Sequence, residues 1–229
     1  MNLFEQLKQQ IPENKKLCRE AANKLLLPLT PEYIKANFSD LFQDMQEEIY
    51  KSFLSYENKI GSEILQRELE LSKTDLFERL KAFFMSCSQS RKSRAGSAFE
   101  FIVKEMFGKL NYPFSEQVKA ENARLDFVLP SADHFEKQPL DSIIVTVKRT
   151  LKERWKQIVS EANKGYGFFL VTMDKEKTKS EISEMETKKV YMVVPKKIKE
   201  EKYPGLYNVI TFEEFFKKHL DPAVLRWAD

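Results

Sequence analysis

An α/β fold in two parts is what the sequence predicts: a helical subdomain over residues 1–85, then a mixed sheet flanked by helices over residues 86–229. Three features lead there. From Leu3 to about Cys87 the apolar residues keep helical spacing. Gly167 to Met173 (GFFLVTM) and Val190 to Val194 (VYMVV) are near-continuous apolar runs, as in strands buried on both faces. From Ser97 onward helical and strand patterns alternate, which places a central sheet between helices. A chain of 229 residues is long enough for one sizeable domain with a helical appendage.

In the first part, Tyr33, Phe38, Leu41, Phe42, Met45, Ile49 and Phe53 mark an apolar helix face, punctuated before it by Pro12, Pro28 and Pro31. Tyr33, Tyr50 and Phe53 are read as core. Ser72 to Asp75 reads as a helix start before Leu76, Phe77, Leu80, Phe83 and Phe84, a stripe expected to be core or a dimer seam. The polar, basic stretch Ser86 to Gly96 reads as a break, after which Ser97 caps a helix carrying Phe99, Ile102, Val103, Met106, Phe107 and Leu110. Phe114 to Val118, Arg124 to Leu129 and Ser142 to Arg149 follow as strands, with Pro113 and Pro130 at their margins. Thr150 caps an expected helix from Leu151 to Asn163, stopped by Gly165 and Gly167. Asp174 to Lys189 is highly charged and reads as a loop with an exposed helix, and Thr211 to Leu220 as a closing helix capped by Thr211.

No apolar run approaches the ~20 residues of a membrane span, and the N-terminus MNLFEQLKQQ lacks a secretory apolar core. The expected location is the cytoplasm. Two cysteines, Cys18 and Cys87, and two histidines, His134 and His219, are too few and too scattered for a zinc site or disulfide framework. They also argue against histidine- or cysteine-based catalysis, and the thiols are expected to be inert and buried. Chemistry therefore falls to carboxylates, lysines and arginines. The net charge is +3, but residues 1–85 hold 12 basic and 14 acidic side chains whereas residues 86–229 hold 26 and 21. The second part is the one suited to face phosphate.

Asp126 stands in one predicted strand and Lys148 ends the next, so neighbouring strands can bring them together. A carboxylate that binds a divalent cation beside a lysine that orients water is the minimum equipment for metal-assisted phosphodiester hydrolysis. Such sites expect a second acid two residues before the lysine, on the same strand face, yet Thr146 stands there. On a following helix, residues 154, 157, 158 and 161 would share a face, which lets Glu161 supply the missing acid. Lys152, Glu153 and Arg154 begin that helix. Arginine can bond guanine O6 and N7 and a carboxylate can accept from cytosine N4, so the triplet suits adjacent G·C pairs in a major groove.

The segments SRKSRAGSAFE (Ser90 to Glu100), LDFVLPS (Leu125 to Ser131) and VKRTLKERWKQIVSEA (Val147 to Ala162) resemble the EcoRII-type restriction endonucleases, which cut CCGG- and CCxGG-type sites. The resemblance covers residues 86 to about 175 in order. It implies a PD-(D/E)XK nuclease core whose second acid is displaced from strand to helix. It further implies Asp126 as central metal ligand, Lys148 as catalytic lysine, Glu161 as displaced acid, and Glu100 as a helical acid completing the site. The triplet Lys152, Glu153 and Arg154 is similar to the family's major-groove reader, and Gln89 to a glutamine placed in the minor groove. Arg91, Lys92 and Arg94 would then contact phosphates or the minor groove. The triplet begins with Lys where several members have Arg, which removes one bidentate fork. The N-terminal helices do not resemble the large effector-binding domain of EcoRII.

The expectation that follows is a Mg2+-dependent type II restriction endonuclease that cuts double-stranded DNA at a short palindrome with CC and GG halves, leaving 5′ overhangs. A palindrome calls for a homodimer, and such an enzyme calls for a cognate DNA methyltransferase as genetic partner. Two other readings stay open from sequence: a structure-selective repair or recombination nuclease, and a non-enzymatic DNA-binding protein.

Overall fold

The computed structural model describes residues 1–71, 74–120, 123–151 and 167–228. It divides into two compact units, one of Met1–Pro28 with Gln43–Ile102 and one of Leu29–Phe42 with Val103–Asp229.

The first unit is helical. Helix α1 (Leu3–Gln10) starts at a capping box in which Asn2 accepts from Glu5 N, and α2 (Asn14–Leu26) buries Leu17, Cys18, Ala21, Ala22 and Leu26. Most of α4 (Phe38–Glu70) and α5 (Leu76–Lys109) completes it, while the short α3 (Pro31–Ala36) belongs to the second unit.

Helix α5 corrects the sequence reading. It runs unbroken through residues 86–96, and Ser97 does not cap a new helix: its Oγ donates back to Ser93 O and Arg94 O, both at 3.3 Å. Serine hydroxyls that bond the preceding turn are tolerated within helices, and nothing between Ser86 and Gly96 is a proline. The aromatic stripe, expected to be core or a dimer seam, is core only in part within the single chain. Phe83 is buried, but Phe77 is 77% and Phe84 56% exposed, because adjacent helical positions cannot share one face. Phe53 is buried as expected, whereas Tyr33 and Tyr50 stand about half exposed. Helix α5 ends at Lys109, where Asn111 takes a left-handed φ of 57° and Tyr112 N donates to Phe107 O.

The second unit is built on a six-stranded sheet in the order β1 to β6. Strands β1 (Ser115–Ala120), β2 (Ala123–Leu129) and β3 (Ile143–Val147) are antiparallel. Strands β3, β4 (Gly167–Val171), β5 (Val190–Val194) and β6 (Val209–Thr211) are parallel. The runs read as strands buried on both faces are β4 and β5, whose last four and last three residues are all buried. One face packs Ile144, Phe168, Leu170 and Met192 with Ile182 and Met185 of α7 (Lys179–Thr187). That helix is therefore half-embedded, not simply exposed. In the same unit, the Phe38 ring lies 4.7 Å from those of both Phe212 and Phe216.

Several elements went unread in the sequence: α6 (Ala132–Lys137), α8 (Lys196–Lys202) and the three-residue β6. Thr211 does cap a helix, through a capping box with Glu214. But α9 (Phe212–Phe215) gives way to a π turn over Phe216–Leu220 and then to α10 (Asp221–Ala228). The helix expected over Leu151 to Asn163 lies outside the described residues from position 152 on. Among the described residues no helix is long and apolar enough to cross a membrane.

Candidate active site

Strands β2 and β3 pair only through Phe127, Val128 and Leu129 against Val145, Ile144 and Ile143. Asp126 is the first β2 residue beyond that pairing. Its carboxylate takes over where the ladder stops: Oδ2 accepts from Val147 N and from Lys148 Nζ, each at 2.8 Å. Asp126 is 6% exposed and the Lys148 side chain 37%. A carboxylate this buried is tolerable only with such charge-assisted donors. Lys148 itself stays in register with the parallel half of the sheet, since its N donates to Val171 O at 3.0 Å.

Two predicted residues are thus brought into direct contact across 22 positions of sequence. Thr146, which stands where the second acid was expected on β3, is 5% exposed. Glu161, Lys152, Glu153 and Arg154 lie outside the described residues. Among the described residues no three of His, Cys, Asp and Glu gather as a metal site. What Asp126 offers is one hard carboxylate oxygen of the kind Mg2+ accepts, with no donor on Oδ1 among the described residues.

The remaining predicted residues lie on α5, in the first unit. Helical spacing lines Gln89, Lys92, Gly96 and Glu100 along one face. Gln89, Lys92 and Gly96 are exposed and Glu100 half-buried. Arg91 and Arg94 are engaged within the unit. Arg91 Nε donates to Glu57 Oε2 at 2.8 Å, and Glu57 is 6% exposed. Arg94 Nη1 donates to Pro12 O and Asn14 Oδ1, both at 3.0 Å, and its guanidinium lies 4.8 Å from the centre of the Phe53 ring. The two thiols are buried, and burial together with the Glu57 charge pushes Cys87 up to about 11. His134 bonds Asp141 at 3.0 Å, and burial pushes His219 down among the rings of Phe169, Tyr191 and Phe215.

One residue beside the site escaped the sequence reading. The register of β1 on β2, with Glu116 against Phe127 and Val118 against Leu125, puts Gln117 level with Asp126. Its φ is 53°, a left-handed conformation rare for a non-glycine strand residue and frequent at functional sites. No sequence signal marks it.

The EcoRII C-terminal family matches residues 53–216, well over half of the chain. The chain belongs to that family. Among its relatives is the type II restriction enzyme EcoRII of Escherichia coli, 33% identical over 124 residues, which are 52% of this chain and 30% of that enzyme. Another is the type II restriction enzyme SsoII of Shigella sonnei, 23% identical over 215 residues, 83% of this chain and 70% of that enzyme. Solved structures repeat the likeness in three dimensions. Metal-depleted Ecl18kI in complex with uncleaved DNA superposes with a TM-score of 0.85 at 21% identity, covering 99% of this chain and 84% of that one. The PspGI complex with substrate DNA gives a TM-score of 0.69 at 21% identity, covering 99% and 98%. The mixed sheet with its flanking helices is thus the PD-(D/E)XK restriction-endonuclease fold.

Proposed function

We propose that this chain is a Mg2+-dependent type II restriction endonuclease of the cytoplasm. It cuts both strands of double-stranded DNA at a short palindromic site with CC and GG halves and leaves 5′ overhangs. The observation that carries the reading is the Asp126 and Lys148 contact at the fork between β2 and β3, in a chain of the EcoRII C-terminal family. Asp126 and Glu161 are the residues that would hold the metal. A bound Mg2+ would supply positive charge that offsets the charge developing on the phosphate and would favour deprotonation of the attacking water. Lys148, half in solvent, donates to the attacking water or to a phosphate oxygen and keeps it in line. The water oxygen bonds to phosphorus as the bond to the 3′ oxygen breaks; the water releases a proton to solvent and the departing 3′ oxygen takes one up from solvent, leaving a 5′ phosphate and a 3′ hydroxyl. Glu100 completes the acid set.

Lys152, Glu153 and Arg154 read the CC and GG halves in the major groove, and Gln89 reads from the minor groove. Arg91, Lys92 and Arg94 face the DNA backbone. Lys92 is exposed and makes no ion pair among the described residues, whereas Arg94 would have to release Pro12 and Asn14 to take part. The protein acts as a homodimer, one subunit per strand. Residues 1–85 serve dimerisation or DNA contact, in keeping with the exposed Leu69, Leu71, Phe77, Phe84 and Met85. A cognate methyltransferase protects the host genome.

The test is digestion of a fully sequenced, unmethylated plasmid with and without Mg2+, with Lys148→Ala as control and the ends read by sequencing. Discrete ends inside sequences with CC and GG halves, absent in the variant, are expected. A smear, or no cutting with Mg2+ or Mn2+, would sink the reading.

A further inference from the structure

Beyond the ends of β3 and β4 the chain is stitched across four consecutive residues. Lys148 N donates to Val171 O at 3.0 Å, and Met173 N to Arg149 O at 3.2 Å. Thr172 Oγ1 donates to the same Arg149 carbonyl at 3.3 Å. The last stitch is made by a side chain: Leu151 N donates to Oδ2 of Asp174 at 2.8 Å. Asp174 is 7% exposed, and Thr172 and Leu151 are fully buried. The carboxylate is itself fixed. Its Oδ1 accepts from Glu176 N at 2.9 Å, its own N donates to Thr172 Oγ1 at 3.1 Å, and its carbonyl accepts from the buried Tyr203 hydroxyl at 3.0 Å. A buried anion needs such donors, and an acceptor held this way fixes the amide it serves.

We propose that Asp174 is a positioning residue for base readout. It fixes the backbone at Leu151, the residue that precedes Lys152, Glu153 and Arg154 in the chain. The inference rests on the reading of that triplet given above. Asp174 and Lys148 are held by different bonds: the lysine by the Val171 carbonyl and Asp126, the exit of the segment by Asp174. Loss of the Asp174 carboxylate therefore strikes discrimination between sites more than the cutting chemistry. Nothing in the sequence singled Asp174 out, since it opens a charged stretch that reads as a solvated connection.

The experiment begins with wild-type enzyme and two duplexes, one carrying the site found by plasmid digestion and one with a single G·C pair of that site replaced. Single-turnover cleavage of both is then measured for Asp174→Ala, Asp174→Asn and Thr172→Val, with Phe216→Leu as a destabilised control away from this segment. The altered duplex has already lost the contacts that a displaced triplet would lose, so the comparison is a double-mutant cycle between protein and DNA. The cognate-to-altered rate ratio is expected to fall about tenfold or more in Asp174→Ala. It falls less in Asp174→Asn, whose one remaining oxygen can serve only one of the two amides, and is unmoved in Phe216→Leu. If both rates drop together and the ratio holds in Asp174→Ala and Thr172→Val, the inference is overturned, because a purely structural loss scales both substrates by the same folded fraction. Should Asp174→Ala not fold, Thr172→Val carries the same decision. A wild type that cuts both duplexes equally fails the underlying reading instead, and is seen before any variant is made.

Discussion

Arg91 is bonded to Glu57 through both Nε and Nη2, at 2.8 and 2.5 Å. A cation that the sequence offers to DNA thus also neutralises a buried carboxylate inside its own helical unit. Arg91→Ala is expected to lower stability by about 2–3 kcal/mol, since it strands a buried charge. Adding Glu57→Gln should recover part of that loss. Urea unfolding of the two variants checks it, and an Arg91→Ala as stable as wild type would show that the pair contributes nothing.

Asp126 and Lys148 should separate binding from cutting. Lys148→Ala is expected to reduce single-turnover cleavage by roughly 10²- to 10⁴-fold while leaving site-specific DNA binding in a gel-shift measurement close to wild type. Asp126→Asn should do the same to cleavage and weaken Mg2+-dependent stabilisation against heat. Cleavage that survives Lys148→Ala would remove the lysine from the mechanism.

Gly96 lies in the middle of α5, where a Cβ would meet nothing within 4 Å. Glycine there costs the helix about 1 kcal/mol relative to alanine, and no neighbour in the chain requires it. Gly96→Ala should therefore raise the unfolding free energy by up to about 1 kcal/mol. It shares a helix face with Gln89, Lys92 and Glu100, so the same change is expected to weaken DNA binding by crowding the backbone that DNA approaches. A variant with unimpaired binding would free that face of any such role.

Glu214 offers a pH test of the second unit. Burial would raise its carboxyl, but bonds from Lys199, the Thr211 N–H and Lys218 hold it down to about 2. A depressed acid stabilises the fold above its ordinary value of 4.5 and loses that contribution as the pH falls toward 2. Glu214→Gln should thus be less stable than wild type at pH 7, by about 2 kcal/mol after allowance for partial exposure. The gap should close between pH 4.5 and 2. Thermal melts across that range decide it.

The legible parts of the fold were those with a strong apolar pattern. Gly167–Val171 and Val190–Val194 carry the uninterrupted apolar pattern of parallel strands, and both are strands. Strand β6 is three residues long, too short for any period to emerge. The stretch Ser86 to Gly96 misled because polarity suggests a loop, whereas a helix needs only an unobstructed backbone and one face to pack. That face is supplied by Cys87, Arg91 and Arg94 with their partners in the first unit. In the site, Asp126 and Lys148 were readable by residue type and strand placement. The placement of Gln117 beside Asp126 and the bond from Leu151 N to Asp174 were not, since one depends on strand register and the other joins segments 23 positions apart.

The Val147 amide rests directly on the carboxylate that would hold the metal. That makes it a built-in reporter. In 15N-labelled protein its resonance and its exchange with deuterated water should respond to a cation arriving at the Asp126 carboxylate, with no foreign probe attached and no reaction to run. Titrating Mg2+ into DNA-free protein and following that one backbone signal by nuclear magnetic resonance would show whether the cation reaches the site before DNA does.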